Sequence, residues 1–248
     1  MRAGRPVSDL DAWTLSEHTY DGTTHPTYRR GSGPGVIVIS EIPGITPAVI
    51  AFADEVVEAG FTVVMPDLFG RPGRANGTGP VVRTLAQICV SREMSLLALG
   101  RTQPIADWLR SLAREVHAEL GGPGVGALGM CFTGGFALAM MVDPAVVAPV
   151  LAQPSAPVAA TPRRSADLNL SPGDLAAVKE RAAAGCEVLG LRYRSDPMVG
   201  RRFSTLTREL GDAFLRVEFP GSKHATLTEH RQQEAVDRVL AFFDEKLH

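Results

Sequence analysis

The sequence predicts an α/β fold with a mostly parallel central sheet and helices on both faces. Three observations predict it. Short apolar, β-branched runs alternate with segments of helical periodicity from Gly35 to the C-terminus. The inner runs, such as residues 35–40 (GVIVIS), are apolar at successive positions, as strands buried on both faces require. No linker, internal repeat or charge block interrupts the alternation, so residues 1–248 read as a single domain.

The elements follow in order. Residues 1–30 hold a hairpin, with strands over 13–20 and 24–30 flanking the turn signal Asp21-Gly22. After the strand at 35–40, Thr46 is placed to cap a helix, Pro47 suits its first position and Gly60 closes it. Val49, Phe52, Ala53 and Val56 recur there at helical spacing. A second inner strand covers 61–65 and ends at Pro66. Residues 68–92, rich in Gly and Pro, read as a surface excursion bordering a pocket. Helical pattern returns over 93–120, in two pieces divided near Pro104. Strands are expected at 125–130, 145–151, 187–193 and 214–219, with a helix at 134–142. An amphipathic helix over 229–246 carries Val236, Leu240 and Phe243 on one stripe.

Composition narrows the function. The net charge is −2 with acids and bases intermixed, which leaves no electrostatic footprint for nucleic acid or an anionic membrane surface. The N-terminal basic residues are followed by no apolar stretch, so a secretory signal is not expected. The most apolar region, 124–152, is broken by Gly134, Gly135, Asp143 and Pro144, and reads as strand, helix and strand rather than a membrane span. Three cysteines (Cys89, Cys131, Cys186) leave at least one unpaired and lack CxxC or zinc-like spacing; a reducing cytoplasm is the expected location.

The sharpest local feature is Gly129-Met130-Cys131-Phe132-Thr133-Gly134-Gly135, directly between an apolar strand and a helix. A tight strand-to-helix turn forces its central side chain outward above the sheet, which is what a nucleophile needs. The helix N-terminus favours negative charge on a thiolate and on a developing oxyanion. Thr133 departs from the G-x-[SC]-x-G pattern, so either the turn tolerates a β-branched residue or it is one residue longer.

That stretch resembles the elbow of the dienelactone hydrolase family. Glu41-Ile42-Pro43-Gly44 and Met65-Pro66-Asp67-Leu68-Phe69 resemble further blocks of the family in matching order. The resemblance runs from about Tyr20 to the last helix. It implies an α/β-hydrolase fold and hydrolysis of small esters or lactones by a cysteine nucleophile, without metal or cofactor. In that fold the triad comes in the order nucleophile, acid, histidine. His224 follows the last strand in Pro220-Gly221-Ser222-Lys223-His224 and is the expected base; His230, inside the predicted terminal helix, reads as solvated. Asp196 follows the preceding strand and matches the family's Asp-x-x-Val, with Asp212 in reserve. The N–H groups of Ile42 and Phe132 are the expected oxyanion donors. The family's matching Glu contacts the resting thiol and helps form the thiolate, a role that would fall to Glu41. Family members that cleave dienelactones hold the substrate carboxylate with arginines, one shortly after the histidine. The residues following His224 are Ala225, Thr226, Leu227 and Thr228, so Arg83 and Arg92 from the excursion are the candidates instead, beside the reading of both as solvated surface arginines, and dienelactone is one possible substrate among several. A second reading stays open: a hydrolase-like binding or redox-sensing protein with a reactive Cys131.

Overall fold

The computed structural model describes residues 10–70, 72–73, 100–155 and 161–248. The hairpin forms β1 (Thr14–Tyr20) and β2 (Thr23–Arg30), paired antiparallel. Asp21 and Gly22 between them have φ of 48° and 75°, the successive positive values that a type I′ turn requires. Next come β3 (Gly35–Ile39), α1 (Pro47–Glu58) and β4 (Thr62–Pro66). Thr46 caps α1 by accepting a hydrogen bond from the Val49 N–H at 3.4 Å, and Gly60 follows its end at φ 97°.

Beyond the undescribed segment lie α2 (Ile105–Leu120), β5 (Val125–Met130), α3 (Gly134–Met140) and β6 (Val146–Ala152). The chain then continues through α4 (Pro162–Ala166), α5 (Pro172–Ala183), β7 (Val188–Tyr193), α6 (Arg202–Leu210), β8 (Phe214–Phe219) and α7 (Gln233–Leu247). The strands of the described residues form one sheet of eight, in the order β1-β2-β4-β3-β5-β6-β7-β8. Every neighbouring pair from β4 to β8 in that order is parallel.

Strand periodicity separates two apolar layers. Ile37 and Ile39 face a cluster containing α2, α3, α5 and α6, whereas Val36 and Val38 face one containing α1 and α7. Phe242 and Phe243 of α7 are fully buried on that second face. Burial of each contributes about 1.5–3 kcal/mol. No helix among the described residues is long and apolar enough to cross a membrane.

Several expectations need correction. The terminal helix begins at Gln233 rather than at 229, because residues 225–232 are held in turns, including His230 N–H to Ala225 O at 3.0 Å. Of the helices α4, α5 and α6, the first two were not expected, and α6 was expected only as a helix ending near Asp212. Two of them carry a sequence signal, a hydroxyl residue before proline: Thr161-Pro162 and Ser171-Pro172, whose side chains cap the helices. The first piece of the helix expected over 93–120 and most of the 68–92 excursion lie outside the described residues.

The topology positions the site. Because β3, β5, β6, β7 and β8 run parallel, the residues that follow each of them emerge at one edge of the sheet. Glu41, Cys131, Ser155, Asp196 and His224 all stand in those following segments.

Candidate active site

At the end of β5 the chain turns sharply and Cys131 adopts φ 57°. A side chain in that region strains the backbone by about 1–2 kcal/mol, so its surroundings must hold it. Thr133 does so. Its hydroxyl, fully buried, accepts from the Met130 N–H at 2.9 Å and lies 3.0 and 2.9 Å from the carbonyls of Ile39 and Met130, to which it donates. The turn therefore tolerates the β-branched residue and is not lengthened by it. Gly129 is obligatory for a different reason: a Cβ there would stand 2.1 Å from the Thr133 carbonyl oxygen.

Asp196 and His224 come together at the same edge. His224 Nδ1 is 2.6 Å from Asp196 Oδ2, and Asp196 Oδ1 accepts from the Met198 N–H at 2.9 Å. The Asp196 side chain is 1% exposed, so its charge is confined to these partners. The loop after β8 is anchored by Tyr193, whose hydroxyl donates to the His230 carbonyl at 2.5 Å and accepts from Gln232 Nε2 at 2.6 Å. The other imidazole nitrogen, Nε2, is buried and has no hydrogen-bond partner among the described residues. Burial by itself lowers the pKa of His224. The Asp196 hydrogen bond, followed by the short-range attraction and charge of the Cys131 sulfur, outweighs burial and raises it to about 10. The sulfur and imidazole are thus electrostatically coupled.

Cys131 is 9% exposed, and its Sγ lies 3.0 Å from Ser155 Oγ. The Cys131 sulfur meets Ser155 rather than Glu41. The Glu41 carboxyl, also buried, accepts from the Thr228 hydroxyl and from Gln153 Nε2 at 3.4 Å. Burial raises the Glu41 pKa, while Thr228 and the His224 charge oppose that rise. Gln153 Oε1 in turn accepts from the N–H and hydroxyl of Thr226 at 3.1 and 2.7 Å. The three segments after β3, β6 and β8 are thereby joined beside the imidazole.

Ile42 and Phe132 follow β3 and β5 at this edge and border the same apolar cluster as Cys131. Asp212 lies in the short turn preceding β8, at the opposite edge, and is exposed. His230, expected to be solvated, is half-buried. Arg83 and Arg92 lie outside the described residues. A cation that sequence reading missed is Arg202, only 2% exposed, which donates to the carbonyls of Met198, Val199 and Arg164. Burial lowers its pKa to about 10, opposed by the charges of Asp167 and Cys131. Ser155, Gln153, Thr226 and Thr228 were missed as well; nothing in their local sequence marks them, since only strand order brings them here. Among the described residues no group of three or more His, Cys, Asp or Glu is arranged to hold a metal ion.

Comparison with known proteins places the chain in a family and a fold. The model of the Dienelactone hydrolase family matches residues 23–246. A Carboxymethylenebutenolidase of Rhodococcus opacus is 31% identical over 114 residues, a stretch covering 46% of this chain and 40% of that protein. Among solved structures, Dienelactone hydrolase from Anabaena variabilis ATCC 29413 superposes with a TM-score of 0.66 at 15% identity. The match covers 95% of this chain and 98% of that one. A cold-adapted esterase from an Arctic intertidal metagenomic library gives a TM-score of 0.63 at 16% identity, covering 94% and 93%. At those identities the structural likeness is one of fold, the α/β-hydrolase architecture.

Proposed function

Because the chain belongs to the dienelactone hydrolase family, we propose that it hydrolyses small carboxylic esters or lactones through an acyl-enzyme on Cys131. The observation that carries this reading is the 2.6 Å contact between Asp196 and His224, with the second imidazole nitrogen left unpartnered and coupled to the sulfur. A buried carboxylate that orients an imidazole toward a nucleophile is the arrangement that acyl transfer uses.

The thiolate attacks the carbonyl carbon, a C–S bond forms, and the carbonyl electron pair moves onto oxygen. The N–H groups of Phe132 and Ile42 hold that oxyanion. Collapse breaks the C–O bond, and the imidazolium of His224 gives its proton to the departing alkoxide. Water then attacks the thioester as His224 takes its proton, and the thiolate leaves. Lactones and small activated esters suit a thiolate because an alkoxide leaves more readily than an amide nitrogen. Glu41 takes part in setting the charge on the sulfur–imidazole pair, and Arg83 or Arg92 meets a substrate carboxylate. A redox-sensing thiol would have no use for the buried Asp196.

The test is hydrolysis of p-nitrophenyl acetate and a small lactone by the whole chain. Wild-type protein turns both over and carries a trapped acyl group on the Cys131 peptide by mass spectrometry. Cys131→Ala and His224→Ala lose about 10³-fold or more. Turnover retained in folded Cys131→Ala removes the mechanism.

A further inference from the structure

We propose that Ser155 is a further catalytic residue, donating a hydrogen bond to the Cys131 thiolate and holding the charged sulfur in the resting state. This rests on the reading of Cys131 as nucleophile and adds to it a partner outside the triad.

The contact is built into the main chain. The Ser155 N–H donates to the Cys131 carbonyl at 3.0 Å, and the two side chains meet at 3.0 Å between Oγ and Sγ. Ser155 is 3% exposed, so its hydroxyl does not exchange the sulfur for bulk water. A neutral thiol is a weak donor and a weak acceptor, whereas a hydroxyl donates well to an anion. The geometry is therefore worth most when the sulfur is charged.

The charged and titratable groups around the sulfur leave this role vacant. His224, from the loop after β8, is coupled to the sulfur without meeting hydrogen-bond geometry. Arg202, from α6, acts through its charge while its guanidinium N–H groups point to three backbone carbonyls. Glu41, after β3, is occupied by Thr228 and Gln153, and Asp196, after β7, by Met198 and His224. Ser155 Oγ meets Sγ at 3.0 Å from a direction that none of these groups takes up. When the sulfur becomes a thioester its charge passes to the leaving alkoxide and the Ser155 bond weakens. When the thioester is cleaved, the hydroxyl receives the departing thiolate again.

The experiment measures the rate of Cys131 alkylation by iodoacetamide against pH, following the Cys131 peptide by mass spectrometry. Ser155→Ala keeps the backbone bond and removes the donor; its midpoint is expected about one pH unit above wild type, a tenfold loss of thiolate below the midpoint. Ser155→Thr, which retains a hydroxyl, stays close to wild type. Should the Ala protein fail to fold, Ser155→Gly, also without a hydroxyl, takes its place. An unmoved midpoint in the folded hydroxyl-free protein, or an equal shift in Ser155→Thr, overturns the proposal. Alkylation needs no turnover. A Ser155-dependent midpoint without ester hydrolysis would overturn the hydrolase reading and leave the Ser155–thiolate bond standing.

Discussion

Among the described residues two groupings of nucleophile, imidazole and carboxyl invite comparison, and their surroundings differ. At the C-terminal edge of the sheet, Cys131, His224 and Asp196 form the first. On the far side, where β1 packs on α2, Ser111 Oγ lies 3.2 Å from His18 Nε2, and His18 Nδ1 lies 2.8 Å from Glu115 Oε2. The residue types and distances are those of a triad. The difference is in what surrounds them. Asp196 is 1% exposed, but Glu115 is 62% exposed, so water screens its charge. Ser111 stands in the interior of α2, where neighbouring N–H groups are consumed by the helix and none remains for an oxyanion. Cys131 stands instead at a positive-φ turn, with the N–H groups of a new helical segment beside it. A hydrogen-bonded trio is a site only when the element presenting the nucleophile also supplies the means to stabilise charge.

The largest effect expected from this contrast separates the two acids. Asp196→Asn should lower kcat for p-nitrophenyl acetate by about 10²–10⁴-fold, because the amide favours the wrong imidazole tautomer. Glu115→Gln should leave kcat within about twofold, as surface changes usually do. Comparable losses in both would break the distinction.

Next in size is the hydroxyl that supports the strained turn. Thr133→Val keeps the shape but strands the buried Met130 N–H, at a cost of about 1–3 kcal/mol in urea unfolding. A variant as stable as wild type would mean that the hydroxyl does not hold Cys131 in place.

His18→Ala sharpens the other side. His18 is buried and packs edge-on against Trp108 at 5.0 Å, so its loss should cost about 1–2 kcal/mol of stability with kcat unchanged. Loss of turnover in a folded His18→Ala would assign chemistry to the second trio.

The smallest effect concerns Glu41. Burial raises its folded pKa above the ordinary 4.5, so its contribution to stability is whole below that value and is lost as pH rises through the raised one. Glutamine has no proton to lose. As pH rises above 4.5, the melting temperature of Glu41→Gln should therefore fall less than that of wild type. Parallel pH profiles would show that Glu41 does not ionise at that cost.

The parts of the molecule legible in the sequence were those governed by neighbours along the chain. The Asp21-Gly22 turn, the Thr46-Pro47 start of α1 and the apolar runs of β3 and β5 each depend on a few adjacent residues. The elbow and the placement of Asp196 and His224 after successive strands were legible too, with the family resemblance to order them. By contrast α5, with mixed composition and a weak apolar stripe, gains its place from packing against the sheet.

Chain-local preferences thus determined which segments become strands and helices, and parallel strand order then sent one end of each to a common edge. Only the tertiary structure decided that the sulfur rests on Ser155, 24 positions away, and that Thr228 reaches Glu41 across 187 positions. Such contacts join side chains whose own neighbours in sequence impose no preference for one partner over another. Their partners are chosen by which buried polar groups the sheet brings within reach, since each must find a hydrogen bond once water is gone.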